Sequence, residues 1–380
     1  MGPLEGIRVI ELAGIGPAPM CCMLLADLGA DVLRVDRVDA GAEIFTTAAR
    51  FQVLHRGRRS IRLDLKSAEG NAAAMRLVER ADALVEGFRP GVAERLGLGP
   101  GSCHARNPRL VYGRMTGWGQ EGPLAETAGH DIDYLAITGA LHAIGRAGEA
   151  PVPPLNLVAD FGGGALYLAV GLLAALVERQ RSGLGQVVDA AMVDGVAHLT
   201  TFVHGLMAAG VWRDDRGVNV LDTGAPFYDV YKTQDGKYLA VGALEPRFFA
   251  TLARLLELPP EALAQHLSPS EWPRLRATLA ARFLAKTRDE WCEVFAGSDA
   301  CVAPVLSWTE AKANAHLAAR GTFVEIDGVV QPAPAPRFSR TRPTTPRSAT
   351  EPGTDTEAAL RDWGFSDEER AHLVRARACR

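Results

Sequence analysis

The side chains best able to move protons or hold anions fall in two short glycine-bearing stretches. In the first, Gly129-His130-Asp131 is followed by Tyr134. An imidazole titrates near about pH 6.5, so His130 is either a proton carrier at neutrality or a histidine satisfied by backbone partners. The second, Pro153-Pro-Leu-Asn156-Leu-Val-Ala-Asp160-Phe-Gly-Gly-Gly-Ala165, sets a carboxylate just before three glycines. Asp160 reads as the start of a helix, either as its N-cap or as a base beside exposed N–H groups that double as an oxyanion site. Glycine is a poor helix former, by ~1 kcal/mol relative to Ala. The run Gly162–Gly164 therefore implies close approach by a ligand or a strand. Arg37, Lys66, Arg89 and Arg95 each stand near a strand end or a helix start. Such positions converge on phosphates at the carboxyl ends of a parallel sheet, or they are scattered surface charge. Gly14-Ile-Gly16-Pro-Ala-Pro19 with Asp36 downstream approaches a dinucleotide fingerprint but has proline in place of the third glycine. Glu245, after Val241-Gly-Ala-Leu, ends a hairpin strand and taken alone is a surface carboxylate.

The elements that would hold these groups alternate. Ile7–Leu12 and Asp31–Val35 read as strands around a helix at Met20–Leu28 with Gly29 as its stop. Ser60–Leu65, Ala68–Arg80 and Ala83–Gly87 repeat the strand–helix–strand unit, and Leu110–Met115 is a further strand. That alternation predicts an α/β fold with a parallel sheet covered on both faces. A long apolar helix is expected from Asp160 to about Arg181, a short strand at Val187–Ala190, and one helix over Val193–Ala209. Pro226–Thr233 and Lys237–Val241, joined by Gln-Asp-Gly, predict a hairpin. Helices follow at Pro246–Leu256, Ser270–Ala285 and Arg288–Ala296, so this block reads as a smaller α+β domain. Residues 331–353 are linker-like, and two short helices close the chain at Asp355–Arg361 and Ser366–Arg377.

Composition bounds the function. The chain has 380 residues, 47% hydrophobic and 23% charged, which is an ordinary globular mixture long enough for more than one domain. Its 41 basic and 45 acidic residues give −4, without the basic balance of a nucleic-acid binder. The six cysteines include no C-x-x-C pair, so buried free thiols in a reducing compartment are expected. The N-terminus lacks a basic region followed by an apolar run, and Ala378-Cys379-Arg380 is not a peroxisomal address of the S-K-L type. Apolar stretches such as Ala165–Val177 fall short of the ~20 residues of a membrane span. A cytoplasmic protein with no membrane and no nucleic-acid partner is expected.

Read together, these segments are familiar. The chain closely resembles the α-methylacyl-CoA racemases within the family III (CaiB–BaiF) CoA-transferase fold. The resemblance is carried by Gly6-Ile-Arg-Val-Ile-Glu-Leu-Ala-Gly-Ile-Gly-Pro17, Leu28-Gly-Ala-Asp-Val-Leu-Arg-Val-Asp-Arg37 and Glu86-Gly-Phe-Arg-Pro-Gly-Val-Ala-Glu-Arg-Leu-Gly97. Arg114-Met-Thr-Gly-Trp-Gly-Gln120, Ala128-Gly-His-Asp-Ile-Asp-Tyr134, Pro151–Gly164, Gly185–Asp194 and Ser298-Asp-Ala-Cys-Val-Ala-Pro304 extend it over nearly the whole chain.

The resemblance implies a Rossmann-like large domain from residues 1–190 and 335–380, and a small domain at 230–314. Linkers at 191–229 and 315–334 join them, and two chains interlock as a homodimer. The substrate implied is an acyl-CoA thioester whose 2-methyl centre is inverted through an enolate. No metal or other cofactor is expected, because CoA is part of the substrate. His130 and Asp160 would be the two acid–base groups. Asn156 would hydrogen-bond Asp160, and Glu245 would reach across the dimer to orient His130, with help from Asp131. Arg37, Leu63, Asp64, Leu65, Lys66, Arg89 and Arg95 would hold the CoA phosphates and adenosine, with His130–Tyr134 along the pantetheine and thioester. The N–H groups after Asp160 would carry the enolate charge. The rival within this fold is a CoA-transferase with Asp160 as nucleophile. The rival outside it is a nicotinamide-dependent dehydrogenase or a non-catalytic nucleotide-binding module. Met115, Met192 and Met207 are candidates for a surface that accepts the acyl chain, and Val38–His55 reads as a long loop at the CoA mouth.

Overall fold

Six short strands make the sheet on which everything else is hung. They are β1 (Arg8–Leu12), β2 (Asp31–Asp36), β3 (Arg59–Arg62), β4 (Ala83–Glu86), β5 (Val111–Thr116) and β6 (Val187–Ala191). The structure, a computed structural model, describes residues 2–39 and 47–379, so residues 40–46 of the expected loop at the CoA mouth lie outside the described residues. All six strands are parallel, in the order β3-β2-β1-β4-β5-β6. Every residue of β4 and β5 is buried, as a sheet covered on both faces requires. The order reverses at β1, where β2 pairs on one side and β4 on the other, and ligands of open α/β sheets bind beside such a point.

One face carries Ile10, Leu12, Leu33, Val35, Ile61 and Tyr112 into a core shared with α2 (Ala68–Val78) and the end of the chain. The last helices bring Leu360, Trp363, Phe365 and Leu373 into the same core. The second of them opens with a reciprocal cap between Ser366 and Glu369. The Asp64 amide donates to the Ala378 carbonyl at 2.9 Å, so the C-terminal segment closes this unit. On the other face lie α1 (Pro17–Asp27) and a helix that begins earlier than expected. Leu157–Ala165 is π-helical and runs on into an α-helix at Leu166–Ser182; Asp160 therefore sits inside the first segment rather than at its start. The 26-residue run Leu157–Ser182 is long and apolar enough by length and composition to cross a membrane, more than the Ala165–Val177 stretch alone suggested. Here Leu168 and Leu172 of that helix close over Gly113 of β5, where a Cβ would lie 2.9–3.0 Å from them. Residues 315–334, expected as linker, contain an antiparallel hairpin of Phe323–Ile326 and Val329–Pro332. Buried Arg56 ties it to α1, donating to Gln331 Oε1 at 2.9 Å and to Asp27 Oδ2 at 2.6 Å.

The chain divides into two compact units, one of Met1–Thr138, Leu155–Leu199 and Ala318–Arg380, the other of Gly139–Pro154 and Thr200–Leu317. In the second, Tyr228–Lys232, Tyr238–Gly242 and Val302–Pro304 form an antiparallel sheet. Helices Pro246–Leu255, Trp272–Phe283 and Arg288–Phe295 cover it around a core of Phe227, Tyr231, Phe249, Phe283 and Trp291. The division differs from the expected boundaries. Residues 139–154 join this unit because Arg146 pairs with buried Asp229 at 2.8 Å and Arg216 donates to the His142 carbonyl at 2.6 Å. The single helix expected over Val193–Ala209 is two, Met192–Leu199 and Thr201–Ala208, broken at Thr200 where the units divide. All six cysteines are free, but Cys301 is exposed and Cys292 only half-buried, where buried thiols were expected.

Candidate active site

Beyond the carboxyl ends of β1, β4 and β5 the chain leaves the sheet through Gly14–Gly16, Gly87–Pro90 and Gly117–Trp118. These turns, with the segments 127–134 and 156–160, enclose a cavity of about 470 Å³. His130, Asp131, Tyr134, Asn156, Asp160 and Arg89 all line it. A neighbouring cavity of about 570 Å³ beyond β1, β2 and β3 is lined by Arg37, Leu63, Asp64, Leu65, Lys66 and Arg95. Phe88 borders both. Arg89 is therefore set apart from the other expected phosphate ligands, on the side of His130 and Asp160.

His130 is the N-cap of α3 (Asp131–Ile137). Its N–H donates to Asp133 Oδ2 at 2.9 Å and its carbonyl accepts from the Asp133 amide at 2.9 Å, so its backbone is satisfied while its ring is exposed. Asp160 is half-buried, and Asn156 Nδ2 donates to its Oδ2 at 3.2 Å. Burial pushes the Asp160 carboxyl above the usual aspartate range; the Asn156 bond opposes this, the Asp131 charge adds to it, and His130 opposes it. Asp131, expected beside His130, also reaches the segment that carries Asp160. Its Oδ2 accepts the amides of Ala159 at 2.9 Å and Asp160 at 2.7 Å, since the first residue of α3 turns its side chain toward the π-helical segment.

Those two hydrogen bonds occupy the amides of Ala159 and Asp160 and do not involve the N–H groups after Asp160. Nor do the three glycines wait for a ligand. A Cβ on Gly163 would lie 2.8 Å from the Val196 amide nitrogen, one on Gly164 2.9 Å from Met192 Cγ, and one on Gly195 overlaps the Gly163 carbonyl. Their reward is the close approach of helix Met192–Leu199.

Tyr134 is buried, and its ring meets Trp118 edge-on at 4.7 Å and 84°. A Cβ on Gly117 overlaps the Tyr134 ring, and one on Gly129 would lie 2.8 Å from both rings, so the loop glycines make room for this pair. Burial, with the Asp160 and Asp133 charges, pushes the Tyr134 hydroxyl up to about 12. Trp118 and Phe88 are wall residues that motif reasoning passed over; the glycines flanking Trp118 were the available signal. Met115 and Met192 line the cavity, whereas Met207 belongs to the second unit.

The turn resembling a dinucleotide fingerprint is furnished differently. Gly16 holds φ 70° as N-cap of α1, but Pro17 and Pro19 bring no N–H to its first turn. The Asp160 carboxylate lies against Gly16, 3.4 Å from where a Cβ would stand. Asp36, the acid that would read a ribose, is engaged by Arg34 Nε at 2.8 Å and Ser60 Oγ at 2.6 Å. Glu245 is the exposed N-cap of Pro246–Leu255 in the second unit, its carbonyl accepting from the Phe249 amide at 3.0 Å.

The model of CoA-transferase family III matches residues 4–356. The chain is 48% identical over 370 residues to the alpha-methylacyl-CoA racemase of Mus musculus, covering 96% of this chain and 94% of that protein. It is 46% identical over 371 residues to the alpha-methylacyl-CoA racemase of Homo sapiens, with the same coverage of 96% and 94%. A crystal structure of a CaiB/BaiF family protein from Brucella suis matches with a TM-score of 0.80 at 27% identity, covering 95% of this chain and 99% of that one.

Proposed function

The chain belongs to CoA-transferase family III, and from that premise we propose that it is an isomerase that interconverts (2R)- and (2S)-2-methylacyl-CoA thioesters. The observation that carries this reading is one cavity at the reversal point of the sheet lined by two unlike proton-transfer groups, His130 and Asp160. A transferase needs one nucleophile; inversion needs two groups, one to take the α-proton and one to return a proton to the other face. In one direction His130 removes the proton, the electron pair moves into the carbonyl as an enolate, and Asp160 in its acid form protonates the opposite face. The reverse direction exchanges the roles. Raising the Asp160 carboxyl above the usual range suits a group that must also act as an acid. Asn156 holds its Oδ2, and Arg89 brings positive charge to the wall beside the developing enolate.

The neighbouring cavity suits the nucleotide end of CoA. Arg37, Lys66 and Arg95 meet its phosphates, Leu63–Leu65 its adenosine, and the pantetheine passes Phe88 to reach Tyr134. In this reading the protein works as an interlocked homodimer in which Glu245 of the partner subunit orients His130, and no cofactor beyond the CoA of the substrate takes part.

Incubation of a (2R)-2-methylacyl-CoA in deuterium oxide tests the reading. Epimerisation coupled to deuterium uptake at C2 is expected, and neither event at saturating substrate refutes it. A hydroxylamine-trapped Asp160 adduct together with a strict need for a second carboxylate acceptor would establish the transferase instead. The phosphate contacts make a separate prediction. Arg37→Ala and Lys66→Ala should each raise KM roughly tenfold or more, the worth of a charge-assisted hydrogen bond. They should leave kcat nearly unchanged, because remote phosphates are held alike in the ground and transition states. Steady-state kinetics on the acyl-CoA checks this, and a fall in kcat at constant KM would argue against the assignment.

A further inference from the structure

We propose that Asp131 is the positioning residue of this site, setting where Asp160 stands relative to His130, so that proton transfer through Asp160 depends on it far more than transfer through His130. This rests on the acid–base reading above. The Asp131 side chain is buried, and a single oxygen, Oδ2, takes both the Ala159 and Asp160 amides, at 2.9 and 2.7 Å. Hydrogen bonds to an ionised acceptor are roughly twice as strong as neutral ones. The same residue opens α3, one peptide bond after His130. One side chain therefore joins the two groups, through the chain on one side and two short hydrogen bonds on the other.

What it grips is an uncommon conformation. The π-helical segment Leu157–Ala165 carries Asp160, and π-helical turns concentrate at functional sites. An anion fixed outside the segment and bonded to its fourth residue's amide decides how that turn is wound, and hence where the Asp160 carboxylate points. Asp131 also acts through its charge. Burial chiefly holds both carboxyls above the usual aspartate range, and at Asp160 the Asn156 bond lowers it, the Asp131 charge raises it and His130 lowers it. Tyr134 and Arg89 complete the titratable and charged groups facing Asp160 across the cavity among the described residues.

The test follows C2 proton exchange of each 2-methylacyl-CoA epimer separately in deuterium oxide, with full-length Asp131→Ala and Asp131→Asn. The epimer served by Asp160 is the one whose exchange Asp160→Asn silences. In Asp131→Ala, exchange of that epimer should fall about 100-fold, the penalty of a base misplaced by about an ångström. Exchange of the other epimer should fall less than about tenfold, since its base sits outside the gripped segment. Asp131→Asn keeps the shape and one acceptor oxygen but removes a negative charge, so the limb of the pH–rate profile belonging to Asp160 should move to lower pH. Equal loss for both epimers in Asp131→Ala, or an unmoved limb at wild-type rates in Asp131→Asn, overturns the proposal. Unmodified protein that exchanges neither epimer removes the racemase reading and this proposal together. Normal exchange in unmodified protein and in both variants removes this proposal alone.

Discussion

Asp160→Asn and His130→Ala are each expected to cut epimerisation by about 10²–10⁴-fold, the usual contribution of one general acid–base group. The two losses should differ in kind. Each variant keeps one proton-transfer group, so it should still exchange the α-proton of one epimer with solvent while failing to deliver a proton to the other face. Asp160→Asn is the cleaner of the two, because the amide is nearly isosteric and its oxygen can still accept from Asn156, which now stands 3.2 Å from Asp160 Oδ2. CoA binding should survive in both, since Arg37, Lys66 and Arg95 line a different cavity. The pH profile adds a signature. Burial raises the Asp160 carboxyl, and a carboxylic acid cannot accept a proton. In His130→Ala, exchange through Asp160 should therefore fall as the pH drops through a value above the ordinary aspartate range. Epimerisation by Asp160→Asn at the wild-type rate would rule Asp160 out as one of the two groups.

Runs such as Asp31-Val-Leu-Arg-Val35 announce strands locally, and strand–helix alternation was enough for a parallel sheet. The reversal at β1 was not legible, because which strands pair is a matter of tertiary contact. The motif around Asp160 stands out in the sequence, but the purpose of its glycines does not. Three glycines look the same whether a ligand or a helix comes close, and the atoms that decide, in Met192 and Val196, lie in a different element. The resemblance implies Asp131 as a helper of His130; at the start of a helix neighbouring side chains diverge, and the Asp131 carboxylate bonds the backbone at 159–160. The hairpin at 323–332 turns on Asp327-Gly328, a two-residue turn signal, but its four-residue strands carry little periodic signal of their own.

Trp363→Ala should be the most destabilising single change outside the site, by about 3–5 kcal/mol. That is a large part of the ~5–15 kcal/mol by which proteins of this kind are stable. The indole is fully buried in the core shared with Ile61, Leu63, Leu77 and Phe365, and the Arg8 guanidinium of β1 lies over its ring at 5.3 Å. Yet its N–H is buried without a hydrogen-bond partner among the described residues. Trp363→Phe therefore sacrifices no hydrogen bond, removes an unsatisfied donor and should be much milder, and the contrast identifies packing as the cause. Urea midpoints of the two variants measure the difference. The effect should also reach the substrate. The segment after Trp363 pins the strand end beside the cavity lined by Arg37 and Lys66, through the Asp64 amide on the Ala378 carbonyl at 2.9 Å and the Leu63–Cys379 bridge. Asp64, Leu65 and Lys66 follow directly and line that cavity. Trp363→Ala at a temperature where it remains folded should raise KM for the thioester with a smaller change in kcat. An unchanged urea midpoint would show that the end of the chain is not part of the core on which that cavity rests.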